Sequence, residues 1–157
     1  MTHGRVIAVY GSAGLRDREK RRMMPAVSVR FADVTILTAE DPRTEPLDDI
    51  LQEMAQSAAQ AGGVEGVSFF RVPDRGDALR KAISLANPGD LVISCGKGHE
   101  QSMCFGSVEY DWDDRTAMQA ALAEHLGMQG TQMPWLPTSS APTPALRPRS
   151  IPAPSSA

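Results

Sequence analysis

Only two cysteines, Cys95 and Cys104, occur in the 157 residues, too few for a disulfide scaffold and consistent with reduced thiols in a cytoplasmic setting. No apolar run approaches the roughly 18 residues that a membrane span needs. The opening MTHGRVIAVYG has no basic segment leading into a long apolar one, so it does not read as a secretory signal. Positive charge is not in excess. The formal net charge is -3, which gives no electrostatic footprint for nucleic acid. Two glycine signatures are also missing. The run SCGKGHEQS places Gly98 after Lys97 where a phosphate-binding P-loop requires Ser or Thr, and Leu91 stands where its first glycine belongs. In GSAG, Ala13 takes the place of the second glycine of a dinucleotide fingerprint. Cys95, His99 and Cys104 do not follow a standard zinc spacing and have no evident fourth ligand, so no metal site is expected.

What is present divides at about Met128. Seven of the twelve prolines lie from there to the end, among Ser, Thr and Ala, which offer little to bury. Residues 128–157 are therefore expected to form a disordered tail, and residues 1–127 the folded domain. Within that domain, strand and helix patterns alternate. Val6–Tyr10, Val34–Thr38, VSFFRV before Pro73, and Leu91–Ser94 read as strands. The last is apolar throughout, as buried parallel strands are. Helices are expected from about Arg21 to Phe31, from Pro46 with Leu47, Ile50, Leu51, Met54 and Ala58 on one face, after an Asp74 cap, and from about Asp113 to His125. Pro25 fits the first of these only in an opening turn or at a kink. The pattern predicts a Rossmann-like α/β domain with a mainly parallel sheet flanked by helices.

In such sheets ligands bind beyond the carboxyl ends of the strands. Three polar loops follow strands here: GSAGLRDREKR, AEDPRTE and CGKGHEQ. They supply Arg16, Asp41, Arg43 and Glu100, with glycines that let a ligand approach the backbone. Two guanidinium groups and two carboxylates suit a small zwitterion such as an amino acid. Taken singly, these are side chains that are solvated in most loops; it is their shared position after strands of one sheet that singles them out.

The texts VYGSAGLRDREKRRMM, FADVTILTAEDPRTEP, DLVISCGKGHEQ and YDWDDR, in this order, resemble the C-terminal domain of the Mur ligases. The likeness is greatest to the branch that makes UDP-N-acetylmuramoyl-tripeptide, and it covers about residues 5–126. The resemblance implies a three-domain enzyme of peptidoglycan synthesis. Its first domain holds the UDP-sugar, its central domain carries the P-loop, and its C-terminal domain brings the incoming diamino acid. ATP, with Mg2+, converts the D-glutamate carboxylate of UDP-N-acetylmuramoyl-L-alanyl-D-glutamate into an acyl phosphate, which the amine attacks. By motif position, Arg16, Glu40, Asp41, Pro42, Arg43, Gly96 and Glu100 are implied as amino-acid contacts. Asp17, Lys20 and Arg21 are implied on the ATP and acyl-phosphate side.

Asp41 stands where diaminopimelate-adding members usually have Asn, while Arg43 is an arginine that lysine-adding members commonly lack. Diaminopimelate, lysine and ornithine all stay open. The 157 residues contain no P-loop, so ATP and Mg2+ would be held mainly by the other domains, and the chain alone is expected not to ligate. A stand-alone binding module, or a truncated remnant of such a ligase, is the competing reading.

Overall fold

The computed structural model describes residues 3–143. Ten elements follow in order: β1 (Val6–Tyr10), α1 (Lys20–Phe31), β2 (Val34–Leu37), α2 (Leu47–Gln60), β3 (Phe69–Arg71), α3 (Arg75–Leu85), β4 (Leu91–Ser94), β5 (Ser102–Phe105), β6 (Val108–Asp111) and α4 (Asp114–Leu126). The first four strands form one parallel sheet in the order β3-β2-β1-β4. Alternation along β1 builds two cores. Ile7 and Val9 face α3 and α4, with Ile36, Leu79, Ala82, Met103, Trp112 and Ala117. Ala8 and Tyr10 face the other way, with Leu37, Ile50, Leu51, Met54 and Phe69. This is the period-two placement of strand side chains, used here to bury both faces of a crossover-connected sheet.

The helix signals are local and physical. Asp48 and Asp49 lie in the first turn of α2, where acidic groups complement the helix dipole. The Asp74 carboxylate accepts the Asp77 backbone N–H at the start of α3, and Asp113 accepts those of Arg115 and Thr116 at the start of α4. Gly127, at φ 66°, ends α4 in the left-handed conformation that glycine adopts without strain. Helix α1 runs through Pro25 at its sixth residue, past the opening turn that is one of the two places the sequence allows for it.

Three expectations change. First, β4 is an edge strand whose outward residues Leu91 and Ile93 are exposed, rather than a buried strand. Among the described residues it pairs only with β1, while α1 and α2 pack over β2 and β3. Second, β5 and β6 form an antiparallel hairpin that apolar patterning did not announce, turning at Gly106 and Ser107. Third, the opening part of the segment read as a tail is packed. Leu136 is 1% exposed within the α3–α4 core, Met133 packs against that core, and the Thr138 hydroxyl donates to Asp74 at 2.7 Å. A few apolar side chains outweigh the proline-rich composition around them. The rest of that expectation, residues 144–157, falls outside the described residues.

Because Leu136 fills core volume, Leu136→Ala should lower unfolding free energy by about 2–5 kcal/mol, the usual range for a truncated buried leucine. Urea denaturation of the two chains measures this. A difference below about 0.5 kcal/mol, the usual surface value, would mean the segment only rests on the domain.

Candidate functional site

Three loops meet beyond the carboxyl ends of β1, β2 and β4, and backbone contacts between them fix the meeting. The N–H of Gly14 donates to the Asp41 carbonyl at 2.9 Å. A Cβ on Gly14 would stand 1.9 Å from the Pro42 carbonyl oxygen, so only glycine permits this approach. The turn Asp41-Pro42-Arg43 is itself unusual, since Asp41 (φ 39°) and Arg43 (φ 54°) are both left-handed. It is pinned to the hairpin: Arg43 N–H donates to the Cys104 carbonyl at 3.1 Å, Gly106 N–H to the Arg43 carbonyl at 2.8 Å, and Cys104 N–H to Asp41 Oδ1 at 2.9 Å.

Beneath the loops lies a buried arginine. Arg75, at the N-terminus of α3, is 0% exposed. Its Nε and Nη2 donate to Asp114 Oδ1 and Oδ2 at 2.8 and 2.7 Å. Its remaining donors reach the Ala39 carbonyl at 3.0 Å, Ser94 Oγ at 3.1 Å and the Cys95 carbonyl at 2.9 Å. Ala39 lies two residues past β2 and Cys95 follows β4, so one guanidinium ties both loop roots to α4. Burial alone would raise the Asp114 pKa. The Arg75 hydrogen bonds and charge, with donors from Ser94 and Trp112, outweigh it and hold the carboxyl below its usual range.

Above this base is a cleft of about 280 Å3 lined by Gly11, Ser12, Ala13, Arg16, Asp17, Lys20, Met24, Glu40 and Gly96. A groove of about 410 Å3 between α1 and α2 is larger, but Arg18, Arg22, Glu53 and Gln56 line it as surface side chains away from the strand ends. Burial lifts the Glu40 carboxyl above its ordinary pKa. Arg75 and Lys97 pull it back, while Asp41 and Glu100 push it further up. Gly96, at φ 95°, lies against that carboxylate: a Cβ there would be 2.3 Å from Glu40 Oε2.

Next to the cleft is a cluster centred on Lys97, which is 1% exposed. Its Nζ donates to Asp41 Oδ2 at 2.6 Å and to Glu100 Oε2. Arg43 Nη1 donates to the Gly14 carbonyl at 2.8 Å, and its other N–H groups have no hydrogen-bond partner among the described residues.

The structure thus gathers Arg16, Asp17, Lys20, Glu40 and Gly96 about one cleft, with Asp41, Pro42, Arg43 and Glu100 adjoining. Arg21 is placed elsewhere. It is 1% exposed and bonds to Glu45, to Glu53 at 3.4 Å and to the Ala13 carbonyl at 3.4 Å, so it braces the first loop from behind instead of facing the cleft. Sequence reasoning missed Lys97 and Arg75. A signal existed for Arg75, because a cation in the first turn of a helix opposes the dipole unless a carboxylate meets it. Among the described residues no three His, Cys, Asp or Glu side chains gather to hold a metal ion. No helix among them is long and apolar enough to cross a membrane.

Asp114→Ala should cost about 3–5 kcal/mol, since it leaves the Arg75 charge buried and unpaired. With its folded pKa below the unfolded value, Asp114 contributes stability above about pH 4 that is lost as pH falls through the folded pKa. Denaturation between pH 2 and 6 should therefore show a shallower acid limb in the variant. Parallel limbs would show that Asp114 is not held ionised.

Comparison with known proteins agrees with the geometry. The family model described as Mur ligase, glutamate ligase domain matches residues 1–98. The chain is 45% identical over 130 residues to a UDP-N-acetylmuramyl-tripeptide synthetase of Roseiflexus sp. (strain RS-1), covering 83% of this chain and 25% of that protein. It is 40% identical over 119 residues to a UDP-N-acetylmuramoyl-L-alanyl-D-glutamate--2,6-diaminopimelate ligase of Geobacillus thermodenitrificans (strain NG80-2), covering 76% and 24%. A solved structure of a ligase of that second name superposes with a TM-score of 0.68 at 33% identity, covering 77% of this chain and 24% of that one. The chain spans about a quarter of the length of these relatives. On its sequence, its parallel sheet and its loop architecture, this chain belongs to the Mur ligases, as a C-terminal domain of the tripeptide-forming branch.

Proposed function

We propose that this chain is the amino-acid-binding domain of an ATP-dependent ligase that adds a diamino acid to UDP-N-acetylmuramoyl-L-alanyl-D-glutamate. The observation that carries the reading is the pairing of two charged sets on adjoining loops. One is a cleft with Arg16 and Glu40, and the other a cluster of Asp41, Arg43, Lys97 and Glu100. A diamino acid has two charged ends, and the two sets offer a place for each.

The chemistry follows from charge. Arg16 presents a guanidinium fork that suits the carboxylate at the reacting end. Glu40 is the half-buried carboxylate of the same cleft and suits the ammonium there. At the far end, Glu100 suits the second ammonium and the free N–H groups of Arg43 suit a carboxylate where the ligand has one. Pro42 and Gly96 shape the backbone around these groups, and Asp17 and Lys20 lie at the cleft near Arg16.

ATP with magnesium would supply the activation of the glutamate carboxylate as an acyl phosphate. Lys20 and Arg16 would meet its negative charge, and the metal, which needs few protein carboxylates beside the substrate phosphates, would be held mainly by the other domains. The partners implied are the diamino acid, the UDP-N-acetylmuramoyl dipeptide, and the N-terminal and central domains of a Mur ligase. A non-catalytic binding module would have the same cleft without those domains.

In isothermal titration, meso-diaminopimelate, L-lysine or L-ornithine should bind the chain, and Arg16→Ala should weaken that binding by about 1.5–3 kcal/mol, as for a lost charge-assisted hydrogen bond. The chain alone should form no ATP-dependent peptide product, and a fragment holding the first two Mur ligase domains should restore it. Binding unaffected by Arg16→Ala would remove the carboxylate assignment. Ligation by the chain alone would overturn the division of labour.

A further inference from the structure

The cluster adjoining the cleft contains a charge that the two-ended reading does not use. Lys97 is among the largest fully buried side chains of the domain, and its ammonium sits between the two carboxylates best placed to receive a ligand's distal ammonium. Asp41 is fully engaged, since Oδ2 accepts from Lys97 and Oδ1 accepts the Cys104 N–H at 2.9 Å. Glu100 differs, because its side chain is 44% exposed and only Oε2 is taken up by Lys97. Arg43 belongs to the same turn as Asp41; its Nη1 donates to the Gly14 carbonyl, and its other N–H groups are unmatched among the described residues. With Glu40 assigned to the reacting end, the remaining groups Asp41, Glu100, Lys97 and Arg43 hold two charges of each sign, though Glu40 feels Lys97, Asp41 and Glu100 as well.

We propose that Lys97 is a specificity-determining residue: it cancels Asp41, so that the far half of the site favours a ligand end bearing both an ammonium and a carboxylate over an end bearing an ammonium alone. This rests on the reading of the cleft as a diamino-acid site. Without Lys97, two carboxylates would face one guanidinium, and the surplus negative charge would attract a lone ammonium and repel a carboxylate. With Lys97, Asp41 exerts little net field on the ligand. Glu100 then meets the ligand ammonium and Arg43 its carboxylate. Asp41 thus acts as a structural tie between the strained turn and the hairpin, and the presence of an acid at position 41 does not by itself disfavour a carboxylate-bearing end.

The test is titration of the full chain with meso-diaminopimelate and with L-lysine, followed by amide shifts of Gly96, Gly98 and Glu100. Wild type should prefer diaminopimelate. Lys97→Met should shift the ratio of the two affinities toward lysine by about tenfold or more, with lysine binding more tightly than it does to wild type. Lys97→Arg, which keeps the charge, should retain the wild-type order. A purely structural lysine would weaken both ligands alike in Lys97→Met, and an unchanged ratio would overturn the proposal.

A wild-type measurement covers the case in which Lys97→Met does not fold. The chain has three lysines, Lys20, Lys81 and Lys97, so the side-chain signal of Lys97 can be followed with labelled lysine. It should shift at saturating diaminopimelate as Glu100 turns to the ligand, and a signal that stays in place overturns the proposal. If wild type binds neither acid, the diamino-acid reading fails and takes this inference with it. Binding with an unchanged ratio removes the role of Lys97 alone.

Discussion

The contact between Arg75 and Asp114 sets the position of the loops on which the site depends. A guanidinium buried beneath two loop roots is stable only if every direction in which it donates meets an acceptor. Here those acceptors lie in the loop just past β2, at the residue after β4, and in the first turn of α4. Satisfying one arginine therefore fixes the relative positions of two loop roots and a helix that are far apart in sequence. The polar loops above do not each need their own rigid support. They rise from anchored roots and need only pack on one another, as Gly14 does on Pro42 and as the turn at Asp41 does on β5.

That architecture separates the charges that build from the charges that recognise. Arg75, Asp114 and Arg21 are nearly or fully buried and spend their hydrogen bonds on protein groups. Arg16 lines the cleft, the Glu100 side chain is partly exposed, and Arg43 keeps N–H groups without a partner among the described residues. Lys97 lies between these classes, being buried like the first set and bonded to a residue of the second. Glu40 is likewise intermediate. Its raised pKa reflects burial first, with neighbouring charges of both signs acting on it.

Much of this was legible in the residues and part was not. Strand β1, the caps Asp74 and Asp113, and the apolar face of α2 could be read because each signal is local in sequence. The placement of three loops after strands of one sheet was enough to bring Arg16, Glu40 and Gly96 together. Edge position was not legible: LVIS has the composition of a buried strand, and only the order of the sheet reveals that β4 has one neighbour. Nor was the seat of Leu136, since a low density of apolar residues says nothing of the single one that finds a cavity. The hairpin of β5 and β6 left only the Gly106-Ser107 turn as its mark. Buried cations were hardest, because Lys97 and Arg21 look like any surface charge until the acceptors from distant loops are assembled around them, and only Arg75 carries a hint in its place at a helix start.

The left-handed backbone at Arg43 has a consequence for how this domain can change. A side chain held at a φ of 54° costs of order 1–3 kcal/mol, a cost glycine does not bear. Folding alone thus favours glycine at position 43, and the arginine stands there against the preference of its own backbone. Selection for a hardier domain and selection for a discriminating one would pull this single position in opposite directions, so a variant hardened by screening for heat resistance alone would be liable to lose its guanidinium first.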